Sequence, residues 1–117
     1  FESLSLCHFF LKGKSMKYDK LVRDKIPNIL DAQGKNYSIR QCQDDFEKFE
    51  YLKRKLIEEV DEFMQSPSIE ELADIQEVIL SLSTHLGVSR RALEAARKTK
   101  AAHRGAFGDN WILEEVV

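Results

Sequence analysis

Cysteine is scarce in this 117-residue chain: it occurs twice, as Cys7 and Cys42, and neither stands in a paired motif. That excludes a disulfide framework and suits a reducing cytoplasm, which is the expected location. A surplus of positive charge is also missing, since 18 Lys and Arg against 20 Asp and Glu leave a net charge of −2. A general nucleic-acid binder needs excess Lys and Arg for its phosphate contacts, so no nucleic-acid partner is expected. The apolar run at residues 4–11 is far too short to span a bilayer. No signal peptide is expected in it either, because Lys12 and Lys14 follow the run and no small-residue cleavage site comes after it. No membrane partner is expected. Internal repeats, linkers and low-complexity stretches are absent as well.

What is present is an ordinary folded composition, 43% hydrophobic and 32% charged, on a length that fits one domain and favours oligomers. Residues 1–15 look foreign to the rest and are taken as sequence upstream of the native start or added for expression, with a native N-terminal arm as the alternative. Met16 reads well as a start, and residues 16–117 are expected to form the domain.

Along that domain, residues 25–33 read as a short helix capped by Asp24 and ended by Gly34. Tyr37 and Ile39 alternate within an extended segment. A long helix is expected over residues 45–65, entered through Asp44 with Glu47 at capping-box spacing. Phe49, Leu52, Leu56, Val60 and Phe63 form its apolar stripe. Pro67 fits the first position of the next helix, with Ser66 as its cap. That helix carries Leu72, Ile75, Ile79, Leu82 and Leu86 and stops at Gly87. Ser89 caps a last helix over residues 90–103, closed by Gly105. The expected fold is all-α: a helical bundle with two long antiparallel helices joined by a very short turn. A small two-stranded β element from residues 37–42 and 111–116 is expected beside it.

The chemistry-bearing residues fall on the two long helices. Glu59/Glu62 and Glu71/Asp74 are each three apart, which sets both carboxylates of a pair on one helix face. Like charges at that spacing repel, and a divalent cation between the helices would turn repulsion into coordination. At about 100° per residue, Glu71 falls roughly 40° from the centre of its apolar stripe and Glu59 within about 90° of the centre of the other. A core-facing carboxylate is costly unless paired or bound to metal. The four groups offer oxygen alone, and neither His85 nor His103 stands in the Glu-x-x-His spacing of di-iron bundles. Oxygen-only donors suit Mg²⁺, or Mn²⁺, over Zn²⁺ or iron. The competing reading is a solvated acidic face, with Glu71 serving a capping box begun by Ser68.

Two basic groups flank these acids: Lys20, Arg23 and Lys25 near the start, and Arg97, Lys98, Lys100 and Arg104 on the last helix. Lys20, Arg23, Lys25, Lys100 and Arg104 are candidates for neutralising phosphates. Arg97 and Lys98 fit a helix-dipole role, which also remains open for Lys100 and Arg104. His103 reads as a surface residue.

Glu58-Glu59-x-x-Glu62 followed by Glu71-x-x-Asp74 resembles the signature of the all-alpha nucleoside triphosphate pyrophosphohydrolases. That superfamily includes MazG-like proteins, phosphoribosyl-ATP pyrophosphohydrolase and the dimeric dUTPases. The opening at residues 18–27 (YDKLVRDKIP) and the close Lys100-x-x-x-Arg104-Gly105-Ala106-Phe107 are similar to small stand-alone members. Two departures stand out: the stretch between Glu62 and Glu71 is short, and Ala106 takes the place of a second glycine. The resemblance implies a helical homodimer or homotetramer. It also implies Mg²⁺ on Glu59, Glu62, Glu71 and Asp74, and release of pyrophosphate from a nucleotide substrate, leaving a nucleoside monophosphate. House-cleaning of nucleotides, phosphoribosyl-ATP among the candidates, is the expected use. Glu58 or Glu59 is expected to serve as general base toward water. The rival expectations are a non-catalytic helical interaction module and a nucleotide-binding sensor.

Overall fold

The computed structural model describes residues 17–117, so the expectation for residues 1–15 lies outside it. Four helices follow one another: α1 (Ile26–Ala32), α2 (Asp45–Gln65), α3 (Ile69–His85) and α4 (Arg90–Arg104). No strand occurs among the described residues. The all-α class therefore holds at the level of secondary structure, and α2 with α3 forms the main tertiary contact. No helix among these residues is long and apolar enough to cross a membrane.

Caps explain most of the boundaries. Asp44, in an extended conformation, accepts from the Glu47 backbone N–H and starts α2. The Glu47 carboxylate then accepts from the N–H of Gln43, one residue earlier than a capping box requires, and from both Nη atoms of Arg40. Ser89 starts α4 in the same way through the Ala92 N–H. Gly34, Gly87 and Gly105 lie at positive φ just after α1, α3 and α4, where a Cβ would be strained.

Three expectations need correction. Asp24 does not cap α1; Lys25 holds that position with no side-chain hydrogen bond, and Pro27 follows in the first turn. Ser66 does not cap α3 either. Its backbone N–H still donates to Glu62 O at the end of α2, so the cap falls to Ser68, whose Oγ accepts from the Glu71 N–H. Pro67 is left between the helices.

The third correction is the β element: residues 37–42 and 111–116 are not strands. The first segment is tied to its helical neighbours instead, with Tyr37 Oη donating to Asp31 Oδ1 at 2.8 Å and Arg40 forked onto Glu47. Trp111, Ile112, Leu113 and Val116 of the second are exposed. Two short strands without a third or a covering face are marginal in water, and local side-chain bonds suffice to divert one of them.

The apolar stripes also sit differently from their expected place. Ile26, Leu30, Leu52 and Val78 form the buried apolar core, whereas Val60, Leu72, Ile79 and Leu86 are exposed. The face between α2 and α3 is rotated toward charge: Lys55 and Glu59 of α2 and Glu71 and Asp74 of α3 are buried there. Phe46, Ile57, Met64 and Ile69 extend the outward apolar surface.

Candidate functional site

A helix residue three or four positions from another lies on the same face. Leu52, Lys55, Glu59 and Glu62 therefore share one side of α2, as Glu71, Asp74 and Val78 share one side of α3. Where the two sides meet, one carboxylate oxygen from each of Glu59, Glu62, Glu71 and Asp74 lies within 4.8 Å of the others. Glu59 is 1% exposed, Asp74 2% and Glu71 5%. Glu62 is half-buried.

Burying a carboxylate costs several kcal/mol unless its charge is met, by about the margins known for buried ions. Part of that charge is met by bases. Lys55 Nζ, itself 6% exposed, lies 3.3 Å from Glu59 Oε1 and 3.5 Å from Glu58 Oε2. Arg23 Nη2 donates to Asp74 Oδ1 at 2.6 Å. Lys20 Nζ donates to Glu58 Oε1 at 3.0 Å. Glu59 Oε2 and Glu71 Oε2, in contrast, are buried atoms that accept no hydrogen bond. Burial and the neighbouring carboxylates of Glu59, Glu71 and Glu58 push Glu62 up to about 7 from the usual carboxylate value.

These atoms fit a hard divalent cation. Mg²⁺ binds oxygen at about 2.0–2.1 Å in octahedral geometry, so its ligand oxygens stand about 3 Å apart when adjacent and about 4 Å when opposite. Oxygens within 4.8 Å of one another are near enough for side-chain adjustment to bring them onto one ion, and the orphaned oxygens of Glu59 and Glu71 are donors of the right kind. The Ser68 cap does not compete with this use. It engages the backbone N–H of Glu71 and leaves the side chain of Glu71 between the helices.

Beside the carboxylates lies a cavity of about 530 Å³, walled by the segment before α1, by α2 and by α3. Arg23 and Lys25 line it together with Leu52, Lys55, Glu59 and Asp74. Its volume falls in the range of small-molecule sites, about 300–1,000 Å³. A second cavity of about 340 Å³ adjoins it through Lys48 and Ser81 and reaches His85. The His85 ring stacks on Phe49 with centroids 4.6 Å apart.

The structure thus gathers Glu58, Glu59, Glu62, Glu71, Asp74, Lys20, Arg23 and Lys25 at one place. Lys100 and Arg104 are exposed on α4 and line neither cavity. Arg97 pairs with Glu94 on the same helix, as a surface residue would. Lys55 is the group that sequence reasoning passed over. Its signal was its place three after Leu52 and four before Glu59, a core-facing position for a base.

Comparison of the chain with family models, with curated proteins and with solved structures finds no match.

Proposed function

We propose that the chain is a Mg²⁺-dependent nucleotide pyrophosphohydrolase of the MazG-like, all-alpha kind, with α2 and α3 as its antiparallel helix pair. The observation that carries this reading is the convergence of four carboxylates between two helices, two of them with buried oxygens that accept no hydrogen bond. The motifs around residues 18–27 and 100–107 support it independently.

When bound, the metal supplies charge neutralisation on the phosphates and an activated water. Glu59, Glu62, Glu71 and Asp74 would hold it. Glu58 or Glu59 accepts the proton of the attacking water, and Lys20 and Lys55 fix Glu58 at the edge of the carboxylates for that purpose. Arg23 and Lys25 face the cavity and orient the phosphate chain. Lys100 and Arg104, exposed on α4 outside both cavities, would stabilise charge on the departing pyrophosphate only if the phosphate chain extends beyond those cavities. The products are a nucleoside monophosphate and pyrophosphate. A cytoplasmic house-cleaning role, with phosphoribosyl-ATP as one candidate substrate, follows from the same reading.

The outward apolar face formed by Phe46, Ile57, Met64, Ile69 and Leu72 supports assembly into a homodimer or homotetramer. A panel of nucleoside triphosphates assayed for pyrophosphate release tests the proposal. Release with Mg²⁺ that stops on chelation is expected for at least one nucleotide. Binding to a protein partner that persists under chelation, with no release from any nucleotide, would favour an interaction module instead.

A further inference from the structure

Arg23 precedes α1, outside any helix, yet its guanidinium touches one of the most deeply placed groups in the molecule. Nη2 lies 2.6 Å from Asp74 Oδ1, although the Arg23 side chain is 41% exposed and that of Asp74 2%. The arginine reaches from solvent to a carboxylate sunk between two helices. Asp74 is also one of the four carboxylates that converge within 4.8 Å.

Two bases offset the charge of that group, and they are built differently. Lys55 is buried, rides on α2 itself and sits four residues before Glu59, so it moves only with the helix. Arg23 lies before α1, its backbone carbonyl accepting from the Ile26 N–H, and only its flexible, 41% exposed side chain reaches Asp74. Lys20 pairs with Glu58 at 3.0 Å, and Tyr51 Oη donates to Asp19 Oδ1. Arg23 can therefore leave Asp74 without disturbing a helix.

Resting on the metal reading above, we infer that Arg23 is an exchangeable counter-ion. It holds Asp74 in the cation-free protein, yields that carboxylate to an incoming divalent cation, and then offers its guanidinium to phosphate. A guanidinium and a doubly charged ion cannot share one carboxylate a few ångströms apart without strong like-charge repulsion. Arg23 also lines the 530 Å³ cavity that contains Glu59 and Asp74, so the released fork stays where a phosphate chain would lie. Planar guanidinium fits phosphate oxygens in pairs. Cation and phosphate then reinforce each other: the ion frees Arg23, and the phosphate gives Arg23 a new partner. The buried, hydrogen-bond-free oxygens of Glu59 and Glu71 are the independent sign that a cation belongs there.

The test is Mn²⁺ binding to the full chain without nucleotide, read from the spectrum of the free ion. Arg23→Met should tighten binding roughly tenfold or more, as expected for removing a charge-assisted hydrogen bond that the ion must displace. Lys20→Met takes the same charge from the same stretch but frees Glu58, which is not in the four-carboxylate group. Its gain should stay below about threefold, the size of a solvent-screened charge effect on carboxylates it does not touch. Arg23→Lys, which keeps the charge, should fall between wild type and Arg23→Met and guards against misfolding of the latter. Equal gains from Arg23→Met and Lys20→Met would reduce the effect to bulk charge and overturn the exchange. Unchanged or weaker binding in Arg23→Met would overturn it while leaving the metal site standing. Absence of Mn²⁺ binding in every variant would overturn the metal reading and the exchange together.

Discussion

Between α2 and α3 the two most buried side chains are Glu59 and Asp74, with Leu52, Glu71, Lys55 and Val78 buried beside them. Along α4 nothing is buried, and Phe107, Trp111, Ile112, Leu113 and Val116 beyond it are exposed. The two regions handle burial in opposite ways. The helix pair accepts a costly charged interface, whereas the last helix and its tail leave inexpensive apolar burial unused. A charged interface is not selected for stability, since apolar side chains of similar volume serve at least as well. On the proposed function the contrast has a cause: the helix pair would be shaped around a cation, and the outer apolar surfaces around a second copy of the chain.

The strongest way to break this comparison is to alter the carboxylates. Asp74→Asn and Glu59→Gln each keep the shape and remove a charged ligand. Both should abolish Mg²⁺-dependent turnover while the helical circular dichroism stays intact. Full activity in both would detach function from the helix pair.

The second prediction concerns the outer face. Light scattering at micromolar concentration should report a dimer or tetramer. Met64→Lys and Ile69→Lys, each placing a charge on exposed apolar surface, should shift the population toward monomer. A wild-type monomer would remove the protein-covered role from that face.

A smaller effect is expected on α4. Arg104→Ala should lower kcat/KM roughly ten- to a hundredfold if Arg104 meets phosphate, the range for hydrogen bonds to charged groups. Arg97→Ala should cost less than about threefold, because Arg97 is engaged with Glu94 at the surface. Equal losses would mean that α4 acts by bulk charge alone. No loss from Arg104→Ala would take that residue out of the site, in keeping with its place away from both cavities.

The gentlest probe is pH. Glu62 titrates near 7 in the folded chain, above the ordinary value of 4.5 that it regains on unfolding. A folded state that holds its proton more tightly loses stability as that proton departs. The melting temperature of the metal-free protein should therefore fall as pH rises from about 4.5 to about 7, with this contribution levelling off above. Glu62→Gln should flatten the slope. A slope of the same size in the variant would assign the effect to other groups.

Much of this was legible in the sequence because it is local. Asp44 and Ser89 sit where their side chains meet the next N–H groups, and the three-residue spacing of Glu59/Glu62 and Glu71/Asp74 dictates a shared face. Ser66 and Ser68 flank Pro67 with equal credentials as caps, and what decides between them is that α2 still uses the Ser66 N–H. The rotation of the helices about each other was not legible. An apolar stripe predicts what helices bury only when nothing else competes for the interface, and here Lys55, Glu59, Glu71 and Asp74 take that place over Val60 and Leu72. The alternation around Tyr37 and Ile39 is a strand pattern without a partner to pair with. Its Tyr37 and Arg40 bonds to Asp31 and Glu47 depend on where α1 ends and α2 begins.

The central claim is that the carboxylates between α2 and α3 bind a divalent cation, and crystals grown with Mn²⁺ test it most directly. Anomalous scattering should show an ion among Glu59, Glu62, Glu71 and Asp74, about 2 Å from their oxygens, with Arg23 turned away from Asp74. Crystals in which Mn²⁺ scatters elsewhere or nowhere, and Arg23 still holds Asp74, would contradict it.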